Sequence, residues 1–394
     1  MNFRRFHILL PGLLFVALLG AGLGPAVAVK LSTAEKDRIE TAVRLFETCA
    51  ANEAVGEYFS LLSPFCLEMN AAILYRGSAG TTRKQFARLL PEQNPQKLLQ
   101  YNSSLLQKLK ASGAVACSNE MEYDSSLTSL RRDFLRDLRQ NGYCEIRAAD
   151  FSALRAGQQW QVFKLSSELS FAGEWVYPFD PENVQESFQH TPDSLPEPCW
   201  MMAMHPALLE YHADAVWEAA FLPFKNSGFQ LILLKPQQIV PRRELPSLLS
   251  AQTLIDFLER PRTEYFSIRM PKFNLSNQLE LQTGLARLGI GLDDHPDFSN
   301  MYSAWNLPES HTYTAGMKIA DLIQKNHFEV DERRVEARSV TVSHGIAIGC
   351  AASDVPVTEY KPPVLVMDRP FLFLLFHEPT RTILFIGSYE CPKS

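Results

Sequence analysis

The sequence predicts a fold that mixes helices with strands, on three observations. Segments with helical period and N-cap signals crowd the first third of the chain, β-type segments fill much of the remainder, and two nearly all-apolar runs, Phe371 to Phe376 and Ile383 to Gly387, close it. A polar turn, His377-Glu378-Pro379-Thr380-Arg381, separates those runs, which therefore read as a hairpin buried on both faces. Before the hairpin, Glu332 to Pro363 form a stretch of about thirty residues with no helical period. A long tether joined to an apolar core is where function is sought first.

Along the chain, Ser32-Thr33-Ala34-Glu35 has capping-box spacing, with Ile39, Ala42, Val43 and Phe46 following at helical intervals. Ser63 caps a second helix with Pro64 in its first turn, and Phe65 to Leu74 is apolar enough to be buried. Helices are expected over 84–90, 95–110, 127–140, 245–257 and 279–288, and strands over 114–123, 143–147, 215–222, 228–234 and 264–273. The basic residues Arg131, Arg132, Arg136 and Arg139 interleave with Asp133 and Asp137, so a self-paired, solvated helix face is expected rather than a polyanion site.

Residues 1–28 are expected to be a signal peptide: Arg4-Arg5, an apolar stretch from Ile8 to Leu23, then Ala26-Val27-Ala28 as a small-residue cleavage site. A membrane anchor fits less well, because Pro11 and several glycines interrupt the apolar stretch. Cleavage would leave 36 basic against 44 acidic residues, a net charge of −8, which gives no basis for affinity to nucleic acid. No linker, charge block or internal repeat divides residues 29–394, and 46% apolar residues supply a sizeable core. The seven cysteines are odd in number, so at least one is unpaired or intermolecular in an oxidising compartment. Asn102-Ser103-Ser104 and Asn274-Leu275-Ser276 are glycosylation acceptors if exposed.

Asp368-Arg369-Pro370-Phe371-Leu372-Phe373 and Ile383-Leu384-Phe385-Ile386-Gly387 resemble the C-terminal signature of the serpins. The resemblance extends to Phe171-Ala172-Gly173-Glu174-Trp175 with Pro178-Phe179, to Leu222-Pro223-Phe224-Lys225, and to Met270-Pro271-Lys272-Phe273. Ser63-Pro64-Phe65 and Gly80-Thr81-Thr82 also sit in family order, so the likeness covers roughly residues 32–391. It implies a single α+β domain over 29–394 with a large central mixed sheet, smaller sheets, about eight or nine helices and an exposed reactive loop at about 332–363. It also implies structural roles for Ser63, Cys66 and Trp175; where Cys66 stands the family commonly keeps a second small hydroxyl. The largest departure is that only Phe151 to Gly173 separate Asp150 from Glu174, too few for the family's helix, long connector and strand. Gln158 to Val162 is a candidate remnant of that helix; either the helix is stunted or a segment is missing from the gene model.

The resemblance implies a secreted inhibitor of serine proteases, working by loop cleavage and insertion of the loop's first half into the central sheet. The hinge would comprise Glu332, Arg333, Arg334, Val335, Glu336 and Ala337, with Arg333-Arg334 where an acidic residue and then glycine are usual. Alternation favours insertion: Val335, Ala337, Ser339, Thr341, Ser343 and Gly345 are all small and would share one face. Counting from the hinge puts the scissile bond near Ile348-Gly349, and counting back from Asp368 puts it near Glu359-Tyr360. No lysine or arginine lies between Ser339 and Tyr360, so an elastase- or chymotrypsin-like target is expected over a trypsin-like one.

Enzymes are disfavoured: there is no Gly-x-Ser-x-Gly, His-Glu-x-x-His or phosphate-binding loop, and no Cys-x-x-Cys for zinc. Asp293-Asp294-His295 with Asp297 lacks the spacing of a calcium loop, and His205 and His212 near Asp214 read as surface residues. No metal and no cofactor is expected, no membrane contact after signal cleavage, and a monomer. The competing expectation is a serpin-fold carrier, storage or signalling protein without inhibitory activity.

Overall fold

The computed structural model describes residues 30–50, 61–151, 160–225, 228–292, 296–305, 317–332 and 361–390. Helix α1 (Thr33–Ala50) precedes the short strand β1 (Leu61–Leu62), then α2 (Pro64–Gly77), α3 (Gly80–Leu89) and α4 (Pro95–Ala111). Strands β2 (Val115–Asp124) and β3 (Thr128–Leu130), helix α5 (Arg132–Arg139) and strands β4 (Glu145–Ala149) and β5 (Trp160–Phe171) come next. They are followed by β6 (Val184–Phe188), β7 (Glu197–Ala213), β8 (Trp217–Pro223) and β9 (Phe229–Pro236). Helices α6 (Leu245–Leu248) and α7 (Ala251–Glu259) lead to β10 (Arg262–Pro271), β11 (Phe273–Glu280), α8 (Gln282–Arg287) and β12 (Tyr302–Trp305). The chain ends with β13 (Met317–Val330), β14 (Val364–Val366), β15 (Phe371–His377) and β16 (Thr382–Tyr389).

Among the described residues these make eight helices and three sheets. A nine-stranded sheet runs β1-β16-β15-β9-β8-β7-β10-β14, with β6 also on β7; a five-stranded sheet runs β11-β13-β5-β2-β4; β12 pairs with β3. The α+β class expected from the sequence, with a large mixed sheet beside smaller ones, is what the chain adopts.

The local signals act through the chemistry that suggested them. Ser32 N donates to Glu35 Oε2 at 2.7 Å and Glu35 N to Ser32 Oγ at 3.4 Å, the reciprocal bonds of a capping box that starts α1. Ser63 Oγ accepts from Cys66 N at 3.2 Å, and Pro64 occupies the first turn of α2, where no amide hydrogen is needed. Helix α2 packs against β5 of one sheet and β16 of the other, so almost its whole circumference is buried, Glu68 being the partial exception. Every residue of β15 and β16 is buried, and Arg381 makes their turn in the left-handed region at φ 52°.

Several expected boundaries move. The 127–140 segment is not one helix, since Thr128–Leu130 pairs with β12 and only Arg132–Arg139 is helical. Asp133 and Asp137 are paired, but principally by Arg76 of α2, with Nη2 to Asp133 at 3.0 Å and Nε to Asp137 at 2.8 Å. Trp160 begins β5, so residues 160–162 are strand and not a remnant helix. Ser250 caps α7 by accepting from Thr253 N at 3.0 Å, which breaks the expected 245–257 helix in two. Strand β11 runs to Glu280, leaving α8 only Gln282–Arg287 before Gly289 at φ 83°.

His377 ends β15 with its ring 4.4 Å from that of Phe229 and Nδ1 2.7 Å from Thr380 Oγ1. Burial lowers its pKa from 6.5 to about 4. In the unfolded chain His377 accepts a proton near its ordinary pKa, whereas the folded chain refuses it until about pH 4, so stability drains away as pH falls between those values. The loss at this site is on the order of 1–3 kcal/mol by the low end of that window. His377→Gln is expected to shrink the difference in urea-unfolding free energy between pH 7 and pH 4.5. An undiminished difference in the variant would show that other groups carry it.

Candidate functional site

Strands β5 and β13 lie side by side in parallel, in register from Met317↔Trp160 to His327↔Ser170 with slips near Ile319. Each has an antiparallel neighbour on its other edge, β2 for β5 and β11 for β13. A parallel contact at the centre of this sheet is a seam: its bonds are slanted and slightly weaker per residue than antiparallel ones. From the end of β13 the chain passes Asp331 and Glu332 to residues 333–360. Beyond them the chain is fixed to the edge of the other sheet, where Ser267 N donates to Pro363 O at 3.0 Å and Val364–Val366 pairs with Ser267–Arg269 of β10.

Beneath the seam, the start of α2 is tied to both strands. Ser63 N donates to Gln324 Oε1 at 3.0 Å, and Gln324 Nε2 donates back to Ser63 O at 2.7 Å. Asn70 Nδ2 donates to Ser167 Oγ at 3.0 Å. Gln324 of β13 and Ser167 of β5 face each other across the seam, so one helix holds both edges at the same level. Asn326, also on β13, donates to Leu61 O at 3.3 Å. Each of these polar side chains is buried and makes at least one hydrogen bond, though Asn70 Oδ1 and Asn326 Oδ1 accept none; a bond adds only about 1 kcal/mol yet makes misalignment expensive. Cys66 lies in the same cluster, fully buried, with its backbone N donating to Ser63 Oγ at 3.2 Å.

At the top of the seam, Trp175 Nε1 donates to Asp331 O at 2.8 Å, Phe179 N donates to Glu332 O at 3.3 Å, and Lys272 pairs with the Glu332 carboxylate. Trp175 is 2% exposed, stacked on Phe224 at 4.4 Å and edge-on to Phe179 at 5.5 Å. The residues where the tether leaves the sheet are thus held by an aromatic cluster and an ion pair.

The structure therefore brings together Ser63 and Cys66 below the seam, and Trp175 with Glu332 above it. Arg333, Arg334, Val335, Glu336, Ala337, Ile348, Gly349, Glu359 and Tyr360 lie outside the described residues, as do residues 1–28, Cys350 and Cys391. Asn102 is corrected: it is fully buried on α4, its amide 3.5 Å from Tyr143 Oη, and no glycan can be attached there. Asn274 is exposed on β11. Sequence reasoning gave no role to Gln324, Asn326, Asn70, Ser167 or Lys272. Asn70 carried a signal, as a lone polar amide inside an otherwise apolar helical run.

Among the described residues no group of three or more His, Cys, Asp or Glu could hold a metal ion, and no helix is long and apolar enough to cross a membrane. His205 is exposed and 2.9 Å from Asp180, while His212 Nδ1 lies 3.0 Å from Arg260 O, so neither forms a catalytic set with Asp214. Cys49, Cys66, Cys117 and Cys144 are free and buried; Cys199 is disulfide-bonded, and its partner lies outside the described residues.

A family model described as Serpin (serine protease inhibitor) matches residues 158–392, well over half of the chain. The chain belongs to the serpin family. Serpin B5 of Xenopus tropicalis is 22% identical over 391 residues, covering 89% of this chain and 96% of that protein. Alpha-1-antitrypsin 1-3 of Mus musculus is 28% identical over 240 residues, 61% of this chain and 54% of that protein. Among solved serpins of similar fold, mouse protein-Z dependent protease inhibitor superposes with a TM-score of 0.73 at 17% identity, covering 91% of this chain and 97% of its own. Thyroxine-binding globulin in complex with thyroxine superposes at 0.72 and 17% identity, covering 92% and 100%. Serpins are protease inhibitors by family rather than catalysts, in keeping with the missing catalytic motifs. The solved structures of similar fold thus include a protease inhibitor and a globulin that binds thyroxine.

Proposed function

We propose that this serpin is a secreted inhibitor of serine proteases, with residues 332–363 as its reactive loop and the seam between β5 and β13 as the place that receives the loop's first half. The observation that carries the proposal is the direct parallel pairing of β5 with β13, at the end of which the chain leaves at Glu332. A strand folding back from Glu332 would run antiparallel to both neighbours and replace one parallel ladder by two antiparallel ones. Glu332 to Ala337 form the hinge, and the small residues Val335, Ala337, Ser339, Thr341, Ser343 and Gly345 are those the interior would receive. Residues 1–28 act as a signal peptide and 29–394 as one monomeric domain, exported to a compartment where the disulfide at Cys199 persists. Asn274 is the remaining glycosylation site, on the exposed side of β11.

The target is an extracellular elastase- or chymotrypsin-like protease that cuts this loop at Ile348-Gly349 or Glu359-Tyr360, because no basic residue lies between Ser339 and Tyr360. Incubation with a panel of serine proteases, then denaturing electrophoresis, is expected to yield a detergent-stable complex with an elastase or a chymotrypsin. A complex with trypsin would overturn the target class. Cleavage by every protease with no complex would overturn inhibition.

That last outcome would favour the second reading, a carrier or signalling serpin. Two features support it: Arg333-Arg334 restrict the hinge where glycine would free it, and only residues 150–159 separate β4 from β5, where the resemblance implies both a helix and a long connector before the strand.

A further inference from the structure

A slot opens where α1, α2 and α4 meet the turn between β15 and β16. Its walls are mostly apolar and include the buried side chains of Ile39, Phe65, Leu105 and Ile383. The charged groups that line it are Arg38, Glu68 and Arg381. Each is largely withdrawn from solvent, with side-chain exposures of 15%, 16% and 14%, yet each is poorly paired. Arg38 Nε and Glu68 Oε1 stand 3.5 Å apart, and both atoms are buried without a hydrogen-bond partner. Among the described residues Arg381 forms its one ion pair with the half-exposed Glu378, at 3.5 Å.

A guanidinium taken out of water is costly unless a carboxylate meets it squarely, with N–H groups donating to both oxygens. Neither arginine has such a partner at 3.5 Å. Arg38 is nevertheless held in place, its guanidinium lying 3.8 Å from the centroid of the Tyr101 ring, a stack that fixes its plane and leaves the N–H edge available. Glu68 is a weak competitor for that edge, because burial raises its pKa and so disfavours its charged form. The slot thus carries two guanidinium groups against one reluctant carboxylate. Its charge repels an amine, and its apolar walls gain nothing from a bare inorganic anion.

We propose that this slot binds a small amphipathic carboxylate, its head held by Arg38 and Arg381 and its apolar chain laid against Ile39, Phe65, Leu105 and Ile383. The site goes beyond the inhibitor reading and does not rest on it. The ligand carboxylate takes the Arg38 edge that Glu68 meets only loosely, and each methylene carried into the slot leaves water. The slot is narrow, which selects a slim, unbranched chain. Once occupied it joins α1 and α2 to the β15–β16 hairpin, so the ligand binds the folded chain and not the unfolded one, and stabilises it accordingly.

The test uses the full chain and the probes butyrate, hexanoate and octanoate, with octylamine, octanol and inorganic phosphate beside them. Melting temperature is followed against probe concentration, and affinity is measured by calorimetric titration. The expected result is a rise in melting temperature with the carboxylates alone, their affinity growing roughly fourfold per added methylene while the chain still lies in the slot. Arg38→Met and Arg381→Met keep the apolar length and lose the charge, and each is expected to weaken octanoate binding about tenfold or more. Glu68→Gln keeps the shape and removes the competing carboxylate, so octanoate should bind more tightly; this variant decides the matter where an arginine variant fails to fold. Binding of octanol, octylamine or phosphate as strong as that of octanoate would overturn the proposal. So would an unchanged or weaker affinity in Glu68→Gln, or no response to any carboxylate. Protease inhibition enters none of these readouts, so failure of the inhibitor reading and failure of this site are told apart.

Discussion

Cleavage of the chain within residues 333–360 is expected to raise the melting temperature of this serpin by on the order of 10 °C or more. The estimate comes from the seam. A strand of about ten residues entering between β5 and β13 would exchange one parallel ladder for two antiparallel ones, a net gain of roughly ten backbone hydrogen bonds, or about 10 kcal/mol. An unfolding entropy of about 2.1 cal/mol/K per residue, taken over a folded chain of this size, converts that gain to the stated shift. Burying Val335, Ala337 and their small alternates adds apolar area, and the cut removes the constraint that tied both ends of the tether. Intact and nicked protein should be scanned at one heating rate, because unfolding of a chain this large is often irreversible and scan-rate dependent. Coincident melting curves would rule insertion out and favour the carrier reading.

How much of this was legible beforehand depended on whether a residue's role is local. The capping box at Ser32 and Glu35, the N-cap at Ser63 and the C-terminal hairpin were readable because each is set by neighbours a few positions away. The break between α6 and α7 was hidden because the apolar period continues across Leu249, while the decisive cap comes from Ser250. At the site, Trp175 and Ser63 were visible through short motifs that resemble those of the family. Gln324 and Ser167 were not, since their meaning arises only when β13 and β5 meet α2 across separations of 261 and 97 residues. Arg76 is another such case: inside an apolar helix it reads as an anomaly until Asp133 and Asp137 of α5 are brought against it.

Replacing Trp175 by alanine is expected to destabilise the protein by about 3–5 kcal/mol, the range for emptying a buried aromatic site. The indole is stacked on Phe224, edge-on to Phe179, and donates to Asp331 O, so its loss opens a cavity and frees the end of β13 together. Trp175→Phe separates the two effects, because most of the ring contact survives while the bond to Asp331 is lost, at about 1 kcal/mol. If that bond holds the upper end of the seam closed, the phenylalanine variant will convert on mild warming to a heat-resistant form in which the uncut tether has entered the sheet, faster than wild type does. Incubation below the melting temperature followed by a second thermal scan measures this. A core role alone predicts a lower first transition and no new heat-resistant fraction, and that result would confine Trp175 to packing. Substituting Lys272 by methionine provides an independent check, since it removes the ion pair to Glu332 from an exposed position and leaves the aromatic cluster in place. If conversion accelerates in both variants although only one loses much stability, control of the tether lies in the contacts at Asp331 and Glu332 rather than in the stability of the core.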